Sequence, residues 1–212
     1  MSKLKRALKA SRPVRGKNIK PLRVLGLDPS LRNFGYVLLD ENGKVIEQDT
    51  LKNKPRAKGE VRSKSADFNM AIEKILYKAT TLSYCKDHRT IIVREDYAYS
   101  AHSSSDTILK ELGGVLEWEM SKGLKDDNHL HWLPITSVKK WACGLGNATK
   151  EQVEAGVKEH FGFEGDEHQC DAMAVATLAL ELAIPGTFDK VSSKQREALD
   201  ALKEHPLTLC LS

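Results

Sequence analysis

Asp28 in VLGLDPS, Glu95 in IIVREDY, and His168 with Asp171 in DEHQCDAMAVA are the residues of this sequence best placed to do chemistry. Each stands where an apolar stretch ends or begins, so its side chain can leave a core and face a cleft. Carboxylates set on a hydrophobic scaffold repel one another unless a cation lies between them. Hard oxygen donors of this kind suit Mg²⁺ or Mn²⁺, and the chemistry that goes with such a site is metal-assisted phosphodiester hydrolysis.

Taken singly, the same residues have plainer readings. Asp28 followed by Pro and Ser is common turn chemistry. Glu95 and Asp96 are adjacent, and strand alternation sends them to opposite faces, so only one can join Asp28; Glu95 is chosen. His168 alone would be an ordinary first-turn histidine, but its spacing of three from Asp171 puts both on one helical face. Glu167, also one turn before Asp171, competes with it as a ligand, whereas Asp166 reads as a helix cap. His168 with Cys170, or His129 with His131, could suggest zinc, but neither pair has a partner pair at zinc-finger spacing.

Several elements must hold these groups. Leu22 to Leu27 reads as a buried strand ending in Asp28. Asn33–Asp40 and Lys44–Thr50 flank Asn42-Gly43, the signal of a two-residue hairpin in which both central residues take positive φ. Ser65 to about Lys86 has helical spacing of Phe68, Ile72, Ile75, Leu76 and Ala79, and Thr90–Glu95 is a short β-branched strand of the buried parallel kind. Ser103–Ser121 is helical, although Gly113-Gly114 costs about 1 kcal/mol per glycine; close packing against a neighbour is the expected reason. Leu130–Pro134 is a fifth strand. Ser137–Ala142 and Thr149–Phe161 are helices, and the helix from about Asp166 to Leu182 is apolar nearly all round and must be buried. A weaker helix follows near Ser192–Lys203. The order implies an α/β fold, a five-stranded mixed sheet flanked by helices, with ligands gathering at strand ends.

The chain has 212 residues, 29% of them charged, and a net charge of +4. It suits one domain over 21–184, a basic tail over 1–20 and an extension over 185–212. Nothing approaches the roughly 20 apolar residues of a membrane span. Cys85, Cys143, Cys170 and Cys210 are widely spaced, so reduced thiols and a cytoplasmic location are expected. Residues 1–27 carry nine Lys and Arg and no acid; that composition also fits an organelle transit peptide. A second basic stretch holds Lys52, Lys54, Arg56, Lys58, Arg62 and Lys64. Two such blocks are the electrostatic footprint of a polyanion binder.

The residues also resemble a known family, the RuvC-type Holliday junction resolvases of the ribonuclease H-like superfamily, over roughly Leu22 to Leu182. Gly26-Leu27-Asp28-Pro29 with Gly35-Tyr36 is similar to its opening motif and Glu95 to its glutamate. Val138-Lys139-Lys140 and Gly144-Leu145-Gly146-Asn147-Ala148-Thr149-Lys150-Glu151-Gln152-Val153 resemble its lysine-bearing segment, and His168-x-x-Asp171 its last motif. The resemblance implies a ribonuclease H-like fold and a homodimer that binds four-way DNA and resolves it by paired nicks, leaving 5′-phosphate and 3′-hydroxyl ends. It implies two Mg²⁺ ions per site, with Mn²⁺ as substitute, held by Asp28, Glu95, His168 and Asp171. Lys139 and Lys150 would be catalytic beside the phosphates. Lys52, Lys54, Arg56, Lys58, Tyr97, Tyr99 and Lys140 are the expected DNA contacts, and the helix with Gly113-Gly114 and Trp118 is the expected dimer surface.

The departures are informative. Ser30 replaces a usual Gly, Arg94-Glu95-Asp96-Tyr97 is more charged than the family pattern, and Ala98 occupies the position of a junction-wedging aromatic. With the basic tail and the segment after Pro185, these features resemble a bacteriophage or otherwise divergent member. A flap nuclease or an RNA-processing nuclease of the same superfamily would share every ligand. A non-catalytic junction-binding protein would need the basic blocks but not the carboxylates.

Overall fold

β-branched and apolar residues concentrate in five segments, and these form the sheet: β1 Leu22–Asp28, β2 Asn33–Asp40, β3 Val45–Lys52, β4 Arg89–Glu95 and β5 His129–Leu133. Their order across the sheet is β3-β2-β1-β4-β5. β1, β2 and β3 are antiparallel neighbours, whereas β4 and β5 run parallel to β1. The mixed five-stranded sheet expected from the sequence is therefore present. The computed structural model describes residues 20–30, 32–53, 64–83, 86–96, 104–123 and 129–209. Lys54, Arg56, Lys58, Tyr97 and Tyr99, and all of the basic tail before Lys20, lie outside the described residues.

The helices are α1 Lys64–Ser83, α2 Ser104–Gly123, α3 Ile135–Cys143, α4 Lys150–Phe161, α5 Glu167–Ala183, α6 Ser193–Asp200 and α7 Pro206–Leu209. Strand alternation splits the core in two. Val24, Val37, Ile91 and Val93 face α5, with Val138 and Trp141 of α3 and Val153 of α4 completing that layer. Leu25, Leu38 and Ile92 face the other way, against Ile72 and Ile75 of α1 and Leu112 and Leu116 of α2. Continuing the same alternation, Glu95 points to the α5 side and Arg94 to the α1 and α2 side.

α5 is buried on almost every face, as its composition demands, and it lies unusually close to the sheet. A Cβ at Gly26 would sit 2.2 Å from the carbonyl oxygen of Ala172, and one at Gly35 would sit 2.3 Å from that of His168. Only glycine permits this approach, so β1 and β2 are shaped to receive the first turns of α5.

Two expectations change, and the C-terminal extension is seen to pack on the domain. The β2–β3 turn is not type I′: Gly43 alone has positive φ, at 81°, and no other residue type does among the described residues. Asp40 replaces the missing geometry by accepting hydrogen bonds on Oδ1 from the N–H groups of Asn42 and Lys44, at 2.8 and 2.9 Å. Close packing does not account for Gly114, since a Cβ there would meet nothing within 4 Å. The segment after Pro185 folds back on the domain, placing Ala198, Leu202 and Leu207 in the α5-side core. The Glu181 carboxylate starts that return by accepting from the N–H groups of Gly186 and Phe188.

Candidate active site

Six residues named from the sequence converge at the C-terminal ends of β1 and β4. Asp28 closes β1 and Glu95 closes β4, the two strands being direct parallel neighbours. His168 and Asp171 come from the first turns of α5. Asp166 caps this helix, accepting from the Gln169 N–H at 3.0 Å and from the Thr50 hydroxyl of β3 at 2.8 Å. The cap stabilises the helix end, and the Thr50 bond fixes that end to the sheet. α4 begins with Lys150, positioned by a capping box between Thr149 and Gln152. Lys139 projects from α3, its Nζ donating to the Ala148 carbonyl at 2.8 Å.

Electrostatics show how closely these groups share one environment. Burial first, then the like charges of Asp171 and Asp28, push the Glu95 carboxyl up to about 8, against the pull of Lys139 and Lys150. Burial and Asp28 raise Asp171 to about 7, with Lys150 opposing and Glu167 adding to the rise. Two carboxyl groups are thus held where their charged forms are uncompensated.

The imidazole and ammonium groups answer part of that charge. His168 Nδ1 lies 2.8 Å from Asp28 Oδ2, and this hydrogen bond raises the imidazole above its ordinary value despite burial. Lys150 is ion-paired with Glu167. Desolvation pulls the ammonium down, but Glu167, Asp171 and Asp28 together leave it raised. His168 therefore turns toward Asp28, whereas Glu167 turns toward Lys150. Among the described residues no three or more His, Cys, Asp or Glu side chains close on one point as a ready metal cage. The donor set fits a hard divalent ion in its chemistry: three carboxylates and an imidazole, two of the carboxylates carrying a burden a cation would relieve.

The expected DNA contacts are more scattered. Lys52 is exposed at the end of β3, and its carbonyl accepts from Lys74 Nζ at 3.2 Å. Lys140 is ion-paired with Glu197 of α6 at 3.1 Å. Sequence reasoning missed Thr50 and the Lys150–Glu167 pair. Their partners lie 116 and 17 residues away, and no local pattern signals either.

The chain is similar to known proteins over most of its length. Residues 24–179 match the family model "Crossover junction endodeoxyribonuclease RuvC". The RuvC of Sulfurovum sp. is 29% identical over 166 residues, covering 76% of this chain and 96% of its own. That of Wolinella succinogenes is 29% identical over 163 residues, covering 73% and 91%. The Thermus thermophilus RuvC structure superimposes with a TM-score of 0.50 at 17% identity, over 75% of this chain and 94% of that one; it carries the fold alone. The order of motifs, the ribonuclease H-like sheet and the family match together lead to one conclusion: the chain belongs to the RuvC family of crossover junction endodeoxyribonucleases.

Proposed function

We propose that this endonuclease resolves four-way DNA as a homodimer by divalent-metal-dependent hydrolysis, with Asp28, Glu95, His168 and Asp171 holding the metal. The single observation that carries the proposal is the meeting of Asp28, Glu95 and Asp171 at adjoining strand and helix ends, where burial and neighbouring charge raise the Glu95 and Asp171 carboxyls. A protein that only bound junctions would have no use for buried like charges, which cost stability without helping DNA to bind.

Two Mg²⁺ ions, or Mn²⁺ in their place, would supply the charge that activates a water and stabilises the leaving 3′ oxygen. Asp28 and Glu95, on neighbouring strands, give the site a rigid floor. His168 approaches from α5, and its Nδ1 must give up Asp28 or its proton before that nitrogen can serve as a donor. Lys150 is poised to exchange Glu167 for a phosphate oxygen, and Lys139, braced on the Ala148 carbonyl, offsets charge at Glu95. These ammonium groups act as point charges on the phosphate while the 5′-phosphate and 3′-hydroxyl ends form.

Symmetric cleavage of a four-way junction requires two sites facing opposed strands, which a two-fold dimer supplies. α2 offers the surface. Gly114 is open, Trp118 one turn later is 65% exposed, and Lys122 lies 4.8 Å over the Trp118 ring. No helix of the described residues is long and apolar enough to cross a membrane.

The test is cleavage of labelled four-way, flap, duplex and RNA/DNA substrates in Mg²⁺ by wild type and Asp28→Asn. Wild type should nick the four-way substrate in pairs and prefer it to the others. Asp28→Asn should bind it and leave it uncut. Preferred cutting of flaps or RNA/DNA, or near wild-type turnover by Asp28→Asn, would refute the proposal.

A further inference from the structure

Arg94 departs from the family pattern beside Glu95, and the structure buries it to 5% exposure on the face of the sheet opposite the active site. A guanidinium is costly to place there, and an aliphatic residue would fill the space more cheaply. Its Nη1 donates to the carbonyl oxygen of Glu95 at 2.9 Å, on the same peptide segment that carries the catalytic carboxylate. Its Cζ lies over the Trp132 ring, 5.7 Å from the ring centre. Trp132 is its register partner on β5, and β4 ends there with the Asp96 N–H donating to the Leu133 carbonyl at 2.8 Å. Trp132 is itself held from behind, where His205 Nε2 lies 3.1 Å from its carbonyl oxygen. Through its Nη1 bond Arg94 reaches the backbone of the residue that carries the carboxylate.

We propose that Arg94 is a positioning residue for Glu95: set over the Trp132 ring, it clamps the last peptide of β4 and so fixes the angle at which the Glu95 carboxylate enters the metal site. The last residue of a parallel strand has lost half its ladder, and a ligand placed there swings unless its carbonyl is tied. A planar guanidinium against an indole gives a rigid anchor that a flexible ammonium cannot reproduce. The proposal deepens the metal-site reading above and rests on it.

The test measures three variants beside wild type. Arg94→Met keeps the apolar stem but removes the donor. It should lower kcat for the four-way substrate by roughly 10–100-fold, the usual cost of losing a ligand's support. KM, and junction affinity in metal-free buffer, should stay at wild-type values. Calorimetric titration of the DNA-free protein with Mn²⁺ should show affinity weakened to a similar degree. Arg94→Lys, which keeps a charged donor of similar reach, should recover part of both losses. Trp132→Leu should show the same signature in smaller measure, and it serves if Arg94→Met fails to fold. Wild-type Mn²⁺ affinity in a folded Arg94→Met or Trp132→Leu protein would overturn the clamp, as would a loss of activity that only tracks a lowered melting temperature. Asp28→Asn separates the two ideas. If it cuts like wild type, the metal-site reading fails; if it is inactive while Arg94→Met is unimpaired, only the clamp fails.

Discussion

At the scale of the residue, the site is a set of protons waiting to be displaced. Glu95 at about 8, Asp171 at about 7 and His168 above its ordinary 6.5 all hold protons that a divalent cation must expel. Metal binding therefore competes with protonation, and the sign is fixed. The Mg²⁺ concentration giving half-maximal cleavage should fall as pH rises from about 6 and level off above about 8, near the raised value of Glu95. Titrations of the rate with Mg²⁺ across that range check this, and a requirement that does not change with pH would contradict it. The two neighbours at the start of α5 separate by the same logic. His168 is bonded to Asp28, whereas Glu167 is bonded to Lys150. His168→Ala should lose most activity, and His168→Asp should keep substantial Mg²⁺-dependent cleavage with a smaller preference for Mn²⁺. Glu167→Ala should lose less than His168→Ala, since it frees Lys150 rather than removing a ligand. The reverse order in initial-rate measurements would make Glu167 the ligand.

At the scale of the element, the site depends on how closely α5 lies on β1 and β2. Gly35→Ala places a methyl group against the backbone of His168, with no side chain able to move aside. It should destabilise the fold by about 1–3 kcal/mol, the range for overpacking. Cleavage should fall further than the loss of folded protein explains, because α5 carries His168 and Asp171 away from Asp28. Thermal denaturation with rates corrected for the folded fraction would show this; a variant with full activity per folded molecule would argue against it. Gly35 also shows what a sequence makes legible. It was visible as part of a motif, and Asp28, Glu95, His168 and Asp171 were visible because each interrupts an apolar run at an element's end. Strand and helix positions followed from alternation and helical period for the same local reason. The turn at Asn42-Gly43 was misread because Asp40, outside the dipeptide, supplies the hydrogen bonds that select its geometry. The Thr50–Asp166 and Arg94–Trp132 contacts were illegible because each joins elements that only the folded sheet brings together.

At the scale of the whole molecule, the same charges that would hold the metal burden the fold without it. A carboxyl raised in the native state carries a proton that the unfolded chain has already released between its ordinary value and the raised one. In that window the unfolded state binds fewer protons, so stability falls as pH rises. For Glu95 the window runs from 4.5 to about 8, and for Asp171 from 3.8 to about 7. His168 acts in the same direction. Its pairing with Asp28 contributes fully below 6.5 and is lost as pH rises through its raised value. The melting temperature of the chelator-treated protein should therefore decline from about pH 5 to about pH 8, and saturating Mg²⁺ should raise it most at the alkaline end, where no protons remain to compete. Glu95→Gln keeps the shape and removes the charge. At about pH 8 without metal it should melt higher than wild type, gain less from Mg²⁺, and cut no DNA, a trade of function for stability. Scanning calorimetry of both proteins at several pH values, with and without Mg²⁺, decides the matter. A metal-free wild type that grows more stable toward alkaline pH would mean that these carboxyls are compensated within the fold, and that the acidic cluster is not a cation site.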